Sequence, residues 1–238
     1  MRRLSIVVPT LDEAAVVVAT LQALAPLRLR GAEIIVVDGG SRDGTPQLAE
    51  RFADRVMTAR RGRGAALNAG ASVARGDALL FLHADTIVPD NADRLILAAL
   101  SRHTWGRFDL RIAGAHPLLS VVARMINLRS SCTGIATGDQ AIFVAREAFA
   151  AVGGFADLPL MEDVALSRRL KRISRPARIR ARVITSGRRW ERNGVWRTIV
   201  LMWRLRLAYY LGAEPARLAK YYEAHPPPPS AAQGHAGP

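Results

Sequence analysis

The 238-residue sequence has a single cysteine, Cys132. One thiol excludes an internal disulfide framework and fits a reducing compartment, and nothing around it resembles a Cys/His nucleophile pair. Acids are scarce, 20 Asp and Glu against 34 Lys and Arg, for a net charge of +14. The excess is concentrated in 171–206, where Glu191 is the one acid among many Lys and Arg. Such a field suits phosphates, nucleic acid or an anionic lipid surface. Long apolar runs are also missing. No segment has the ~20 uninterrupted apolar residues of a membrane span, and the nearest, 195–211, is broken by arginines. Arg2-Arg3 is followed by only a short apolar run before Pro9, which does not make a secretory signal. The expected location is cytoplasmic, with a peripheral place on the inner face of the cell membrane as the second option. No internal repeat is visible.

What the chain does have is an alternation of short β-branched runs and helical patterns. The organising stretch is 33–45, EIIVVDGGSRDGT. Ile34, Ile35, Val36 and Val37 read as a strand buried on both faces, as in a parallel sheet. It stops at Asp38, and Gly39-Gly40 then permits a sharp turn. Thr45-Pro46 looks like a helix N-cap followed by proline at the first helical position. Asp38 and Asp43 could alternatively do no more than make Asx-type turns.

Further predicted strands cover 4–8, 55–59, 77–82, 105–112, 140–144 and 178–184, and predicted helices cover 13–25, 45–52, 64–74, 90–103, 118–128, 146–152, 161–174 and 195–211. Thr10 or Asp12 is the expected cap of the first helix. The first half is a βαβ succession, so the expected fold is α/β, with a mostly parallel, Rossmann-like central sheet flanked by helices and a C-terminal amphipathic helix. The expected organisation is one domain over 1–190, a basic amphipathic helical extension over 191–224 and a disordered proline-rich tail over 225–238.

Three acidic positions fall at ends of predicted elements: Asp38, Asp85 and Glu162-Asp163. In open α/β sheets, ligands bind at the carboxyl edge of the strands. A carboxylate there can hold a hard divalent cation that leaves positions open for phosphate oxygens. Asp85 could instead cap the helix at Pro89, and Glu162-Asp163 could simply favour a helix dipole. An EF-hand loop at Asp38 fails, because its twelfth position is Ala49. Arg60-Arg61-Gly62-Arg63-Gly64 resembles a phosphate cradle, although it matches neither Walker A nor the dinucleotide fingerprint.

Taken together, Pro9-Thr10-Leu11-Asp12-Glu13, Val37 to Thr45, Asn68-Ala69-Gly70, His83-Ala84-Asp85 and Glu162-Asp163 resemble the family 2 glycosyltransferases over about 4–190. A finer likeness, carried by Leu82 to Thr86, Gly138-Asp139-Gln140 and Trp203 to Leu207, is to the bacterial radical-SAM/selenodomain-associated transferases, the arsenosugar-biosynthesis type. The resemblance implies a GT-A fold, a nucleotide-diphosphate sugar donor (a UDP-sugar favoured) and a magnesium or manganese ion. It implies donor contacts from Pro9, Thr10, Glu13, Asp38, Gly39, Arg63, Asn68, His83, Asp85 and Arg189. Asp85 would also hold the metal, Asp163 or else Glu162 would be the catalytic base, and Gly138, Asp139, Gln140 and Trp190 would lie on the acceptor side. The chain departs from the family pattern at His83, where an acid is usual, and at Arg188-Arg189-Trp190, which lacks the preceding glutamine.

The implied reaction is an inverting, metal-assisted sugar transfer to a small-molecule or lipid-like, carotenoid-type acceptor. One alternative is a sugar-nucleotide pyrophosphorylase, which expects a glycine-rich loop where this chain has Pro9 to Glu13. The other is a non-catalytic binder of an anionic surface; of its two targets, membrane is favoured over nucleic acid. Trp196, Val200, Trp203, Leu207 and Tyr210 form one apolar stripe at helical spacing, which either packs on the domain or meets a membrane interface.

Overall fold

The computed structural model describes residues 3–223, so the tail expected over 225–238 lies outside the described residues. Its elements run β1 (Leu4–Thr10), α1 (Ala14–Ala23), α2 (Ala25–Leu29), β2 (Glu33–Asp38), α3 (Thr45–Ala49), β3 (Arg55–Thr58), α4 (Arg63–Val73), β4 (Ala78–Phe81), β5 (Thr86–Ile87) and α5 (Ala92–Ala99). The second half continues with β6 (Trp105–Ala113), α6 (Leu118–Thr133), a 3-10 turn (Gly138–Gln140), β7 (Phe143–Ala145), α7 (Arg146–Ala151), α8 (Glu162–Ile173), β8 (Ala177–Ser186), α9 (Arg188–Asn193), α10 (Val195–Tyr210) and α11 (Pro215–Glu223).

The strands form one sheet in the order β3-β2-β1-β4-β7-β6-β8-β5. β1, β2, β3 and β4 are parallel to their neighbours in this set. The expected parallel character holds in this half, where helices make the crossovers. The second half is mixed: β7 runs antiparallel to β4 and β6, β6 and β8 are parallel, and β5 is antiparallel to β8.

Period-two alternation gives the sheet two buried faces. Ile6, Val8, Ile34, Val36 and Leu80 face α1, α2, α5 and α6, contributing to one core with Val17, Leu21, Leu27, Ile96 and Val122. Val7, Ile35, Val37, Leu79 and Phe81 face the other side, with Leu67 of α4, Phe149 of α7 and Leu166 and Leu170 of α8. Full burial of each such side chain is worth about 1.5–3 kcal/mol, which is why β2 is apolar throughout between Glu33 and Asp38. Gly70 lets α4 approach this closely, since a Cβ there would lie 2.4 Å from Val7 Cγ1 and 2.9 Å from Val37 Cγ2.

Several local expectations shift. Gly44, in left-handed geometry at φ 85°, is the N-cap of α3, so Thr45 and Pro46 sit inside the helix. Thr10 does not cap α1; it belongs to β1, and Glu13 takes the N-cap position. Asp85 caps no helix either, because β5 intervenes and α5 starts at Ala92 with Asn91 as its N-cap. Gln140 belongs to the 3-10 turn rather than to β7. The expected boundary at 190 falls inside α9; the helical break comes at Gly194. α10 then folds back, and Leu201 and Leu205 pack with Met161, Val164 and Leu218 in a third apolar cluster. The face it buries is therefore not the stripe of Trp196, Val200, Trp203, Leu207 and Tyr210, which is exposed. No helix among the described residues is long and apolar enough to cross a membrane.

Candidate active site

The site begins where β1 parts from β4. Their pairing ends at Val7 opposite Phe81, whereas β1 stays paired with β2 as far as Thr10 opposite Asp38. Pro9, which has no N–H to offer a neighbour, occupies the unshared part of β1. The chain order reverses here, so the carboxyl ends of β1, β2 and β4 border a crevice at the topological switch point.

On one wall, Asp38 is buried and its carboxylate is fully engaged. Thr10 Oγ1 donates to Oδ1 at 3.1 Å, as does Ser41 Oγ, and Oδ2 accepts from Gly40 N at 2.9 Å and Ser41 N at 2.8 Å. Burial acts to raise the Asp38 pKa, but the hydrogen bonds from Ser41, Gly40 and Thr10 outweigh it and hold it below the usual carboxylate range. Asp43 also makes an Asx-type turn, accepting from Thr45 N at 3.0 Å, and its other oxygen accepts from Ala14 N at 2.9 Å. With Ser41 Oγ accepting from Asp12 N and Thr45 Oγ1 from Glu13 N, this loop satisfies the start of α1 from across the crevice. Gly39 completes the turn by donating its N–H to Thr10 O. The Asx-turn reading of both aspartates is therefore correct as far as their hydrogen bonds go.

Arg188 bridges two candidate donor-site acids, with Nη2 at 3.2 Å from Glu13 Oε2 and 3.6 Å from Asp85 Oδ2. A cationic group already stands between these carboxylates. Magnesium or manganese on a diphosphate needs one or two protein carboxylates and takes its other ligands from phosphate and water. Asp85, partly exposed, fits that requirement, whereas an all-protein cage does not fit: no group of three His, Cys, Asp or Glu is placed for one among the described residues. His83 pairs through Nδ1 with Asp139 Oδ1 at 3.1 Å. Desolvation works against the charge on Asp139, but His83 and the cationic Arg63 and Arg189 overcome it and keep the carboxyl well below the usual range.

The opposite wall is the start of α8. A narrow pocket is lined by Arg63, Leu67, Phe81, His83, Gly138, Ile142, Phe155, Glu162 and Asp163. Asp163 accepts from Gly138 N at 2.8 Å through Oδ2, and Oδ1 accepts from Val164 N at 2.7 Å. A carboxylate has about four lone-pair positions, so it keeps capacity for a substrate hydroxyl. Glu162 is buried, 3.3 Å from Arg63 Nη1. Burial and then repulsion from Asp163 push its pKa up, while Arg63 opposes the shift. A Cβ at Gly138 would lie 2.4 Å from His83 Nε2, so a side chain there would have to displace His83. Among the described residues, the non-glycine residues with positive φ are Asp12, Ala141 and Met161, adjacent in sequence to Glu13, Gln140 and Glu162. Backbone strain is thus concentrated beside candidate site residues.

Not every expected residue faces the crevice. Asn68 spends its whole amide on Phe155, donating to its O at 2.9 Å and accepting from its N at 2.8 Å, so it clamps the loop before α8. Gln140 is buried and shares a capping box with Thr137. Trp190 is partly buried against the first core. Arg189 stacks over Tyr222, 5.1 Å from the ring centroid, but stays close enough to the site to feel Asp139, Asp85 and Glu13. One arginine near these groups was not singled out by the sequence: Arg129. Arg129 Nε and Nη2 are buried without a hydrogen-bond partner. Desolvation, followed by repulsion from Arg206, lowers the Arg129 pKa to about 10, with Asp163 acting in the opposite sense. Arg188 and Arg206 lie in phrases that the sequence marked, whereas Arg129 lies outside them and outside the basic field of 171–206.

Residues 5–111 match the family model of Glycosyl transferase family 2. The glycosyl transferase family 2 segment contains Thr10, Glu13, Asp38, His83 and Asp85; Asp139, Glu162 and Asp163 lie beyond it. Over 88 residues the chain is 41% identical to the PGL/p-HBAD biosynthesis glycosyltransferase of Mycobacterium tuberculosis and to that of Mycobacterium bovis. This match covers 34% of the chain and 34% of each relative, so the chain spans about a third of their length. The fold is GT-A. A mannosyltransferase from Pyrobaculum calidifontis, solved with GDP-Man and Mn2+, superimposes with a TM-score of 0.65 at 23% identity, covering 96% of this chain and 66% of that one. S. aureus TarS with UDP-GlcNAc gives 0.63 at 18% identity, covering 77% and 58%. The glucosyl-3-phosphoglycerate synthase of Mycobacterium tuberculosis, solved with Mn2+, UDP and glucosyl-3-phosphoglycerate, gives 0.58 at 20% identity, covering 76% and 70%.

Proposed function

We propose that this chain is an inverting glycosyltransferase that moves a sugar from a nucleoside-diphosphate donor to a hydroxyl of a small-molecule or lipid-like acceptor. The reading rests above all on one observation: the carboxyl edge of the parallel strands and the start of α8 bring His83, Gly138, Glu162 and Asp163 to one pocket. Asp163 is the general base. Its carboxylate takes the acceptor proton as the acceptor oxygen bonds to the anomeric carbon. The bond from that carbon to the diphosphate oxygen breaks, and its electron pair leaves with the nucleoside diphosphate. A single displacement of this kind inverts the anomeric centre. Proton removal by a positioned base contributes about 10²–10⁴-fold.

Glu13, Thr10 and the Asp38 loop frame the nucleoside side, where Asp38 would contact the base by exchanging one of its internal hydrogen bonds. Asp85 would hold a magnesium or manganese ion, which when bound would stabilise the charge that develops on the leaving group. Arg188, Arg189 and Arg63 add positive charge to the same region. Asp139 orients His83, and Gly138 holds Asp163. UDP is the favoured nucleotide. The arsenosugar-type subgroup remains the finer assignment on the strength of its sequence phrases.

Calorimetric titration with UDP, GDP and ADP, each with and without Mn2+, tests the donor site. The expected result is metal-dependent binding of one nucleotide, weakened at least tenfold by Asp85→Ala. A folded protein that binds none of the three would overturn the reading.

A further inference from the structure

We propose that the outer faces of α6 and α10 dock this protein on an anionic lipid bilayer. On α10 the buried positions are Val195, Thr198, Leu201 and Leu205. The opposite face carries Trp196, Val200, Trp203, Leu207 and Tyr210, with the two tryptophans 69% and 67% exposed. α10 packs against α6, which repeats the arrangement: Val122, Ala123 and Ser130 are buried, whereas Val121, Met125, Leu128 and Cys132 are exposed at helical spacing. Two neighbouring helices thus leave large apolar side chains in water. An ordinary surface scatters such residues singly, and contiguous apolar stripes mark interaction sites.

Charge selects the occupant. Neither helix contains an acid, and exposed Arg124, Arg197 and Arg204 lie among or beside the apolar residues. Two copies meeting through this face would oppose arginine to arginine. The residues after Glu223 have alanine and proline as their only apolar side chains, which cannot fill two stripes of this size. A bilayer with acidic headgroups satisfies both features. Tryptophan and leucine enter the acyl boundary while arginine meets lipid phosphate, the signature of a helix lying in an interface. On their inner sides the same helices carry Arg129 and Arg206, which sense the charges of Asp139 and Asp163. α10 also packs through Leu201 and Leu205 on Met161 and Val164, which flank Glu162 and Asp163. Given the transferase reading, the docked helices would present an acceptor drawn from the lipid surface.

The test is co-sedimentation of the full chain with vesicles of equal parts phosphatidylcholine and phosphatidylglycerol, and with phosphatidylcholine alone, at low and high salt. The expected result is salt-sensitive binding to the anionic vesicles that falls tenfold or more in Trp196→Ser/Trp203→Ser. Arg197→Gln/Arg204→Gln should flatten the salt dependence. Both pairs point outward, so an unchanged unfolding midpoint is the control for folding. Should Trp196→Ser/Trp203→Ser disturb that midpoint, Met125→Ser/Leu128→Ser on α6 carries the same test. Anionic vesicles left unbound, undiminished binding by the tryptophan variant, or a dimer dissolved by that variant in place of vesicle binding would each overturn the proposal. Nucleotide binding is read separately and without vesicles, so failure of docking and failure of the transferase reading are distinguishable.

Discussion

Asp163→Asn is the sharpest perturbation of the proposed chemistry, because it separates the base from the anchor. Both carboxylate oxygens accept a backbone N–H, from Gly138 at 2.8 Å and from Val164 at 2.7 Å. Asparagine keeps one acceptor oxygen, and its amide nitrogen must face the other N–H. Losing one charge-assisted hydrogen bond at a half-buried position costs about 1–2 kcal/mol. At this chain length that corresponds to a fall of roughly 2–8 °C in the unfolding midpoint. Loss of the base costs more. A factor of 10²–10⁴ in turnover corresponds to about 2.7–5.5 kcal/mol of transition-state stabilisation. The assay is nucleoside-diphosphate release under saturating donor and acceptor, run beside thermal unfolding and UDP titration. The expected outcome is a folded variant with near-normal nucleotide affinity and turnover reduced at least a hundredfold. Turnover within tenfold of the unsubstituted chain would refute the base assignment and leave Asp163 as a holder of Gly138.

Glu162 is held above its ordinary value of 4.5, so folded protein binds its proton more readily than unfolded chain does. Stability is therefore lost as pH rises from the unfolded value through the higher folded one. Glu162→Gln should raise the unfolding midpoint at pH 7 relative to the unsubstituted chain, with the gap closing below about pH 4.5; an unchanged gap across a pH series argues against a raised pKa. Arg188→Ala should leave the midpoint almost unchanged, since exposed bridges contribute about 0–1 kcal/mol, yet weaken diphosphate binding in calorimetry by about tenfold. Gly70→Ala gains up to about 1 kcal/mol of helix propensity but forces a methyl into Val7 and Val37, an overpacking cost of about 1–3 kcal/mol. Denaturant titration should show net destabilisation, and a stabilised variant would mean that α4 can lift from the sheet.

The sequence by itself determined the parallel half of the sheet and the acids at the carboxyl edge of its strands. Ile34 to Val37 read as a strand buried on both faces, and the stop at Asp38 marked the strand end, because these are local facts of hydrophobic period and turn chemistry. The acids at Asp85 and Glu162-Asp163 were legible for the same reason. What each side chain does was decided only by tertiary structure. Asn68 and Gln140 lie in recognisable phrases, but their hydrogen-bonding capacity goes to Phe155 and Thr137. Arg188 meets Glu13 across 175 positions of chain, a contact that no local pattern encodes. The reversal of α10 was equally hidden. Its apolar stripe was visible in the sequence, but a helix has two candidate apolar faces here, and only packing against Met161, Val164 and Leu218 decides which one is buried. Periodicity fixes which residues share a face, whereas burial depends on what the rest of the chain brings to meet it.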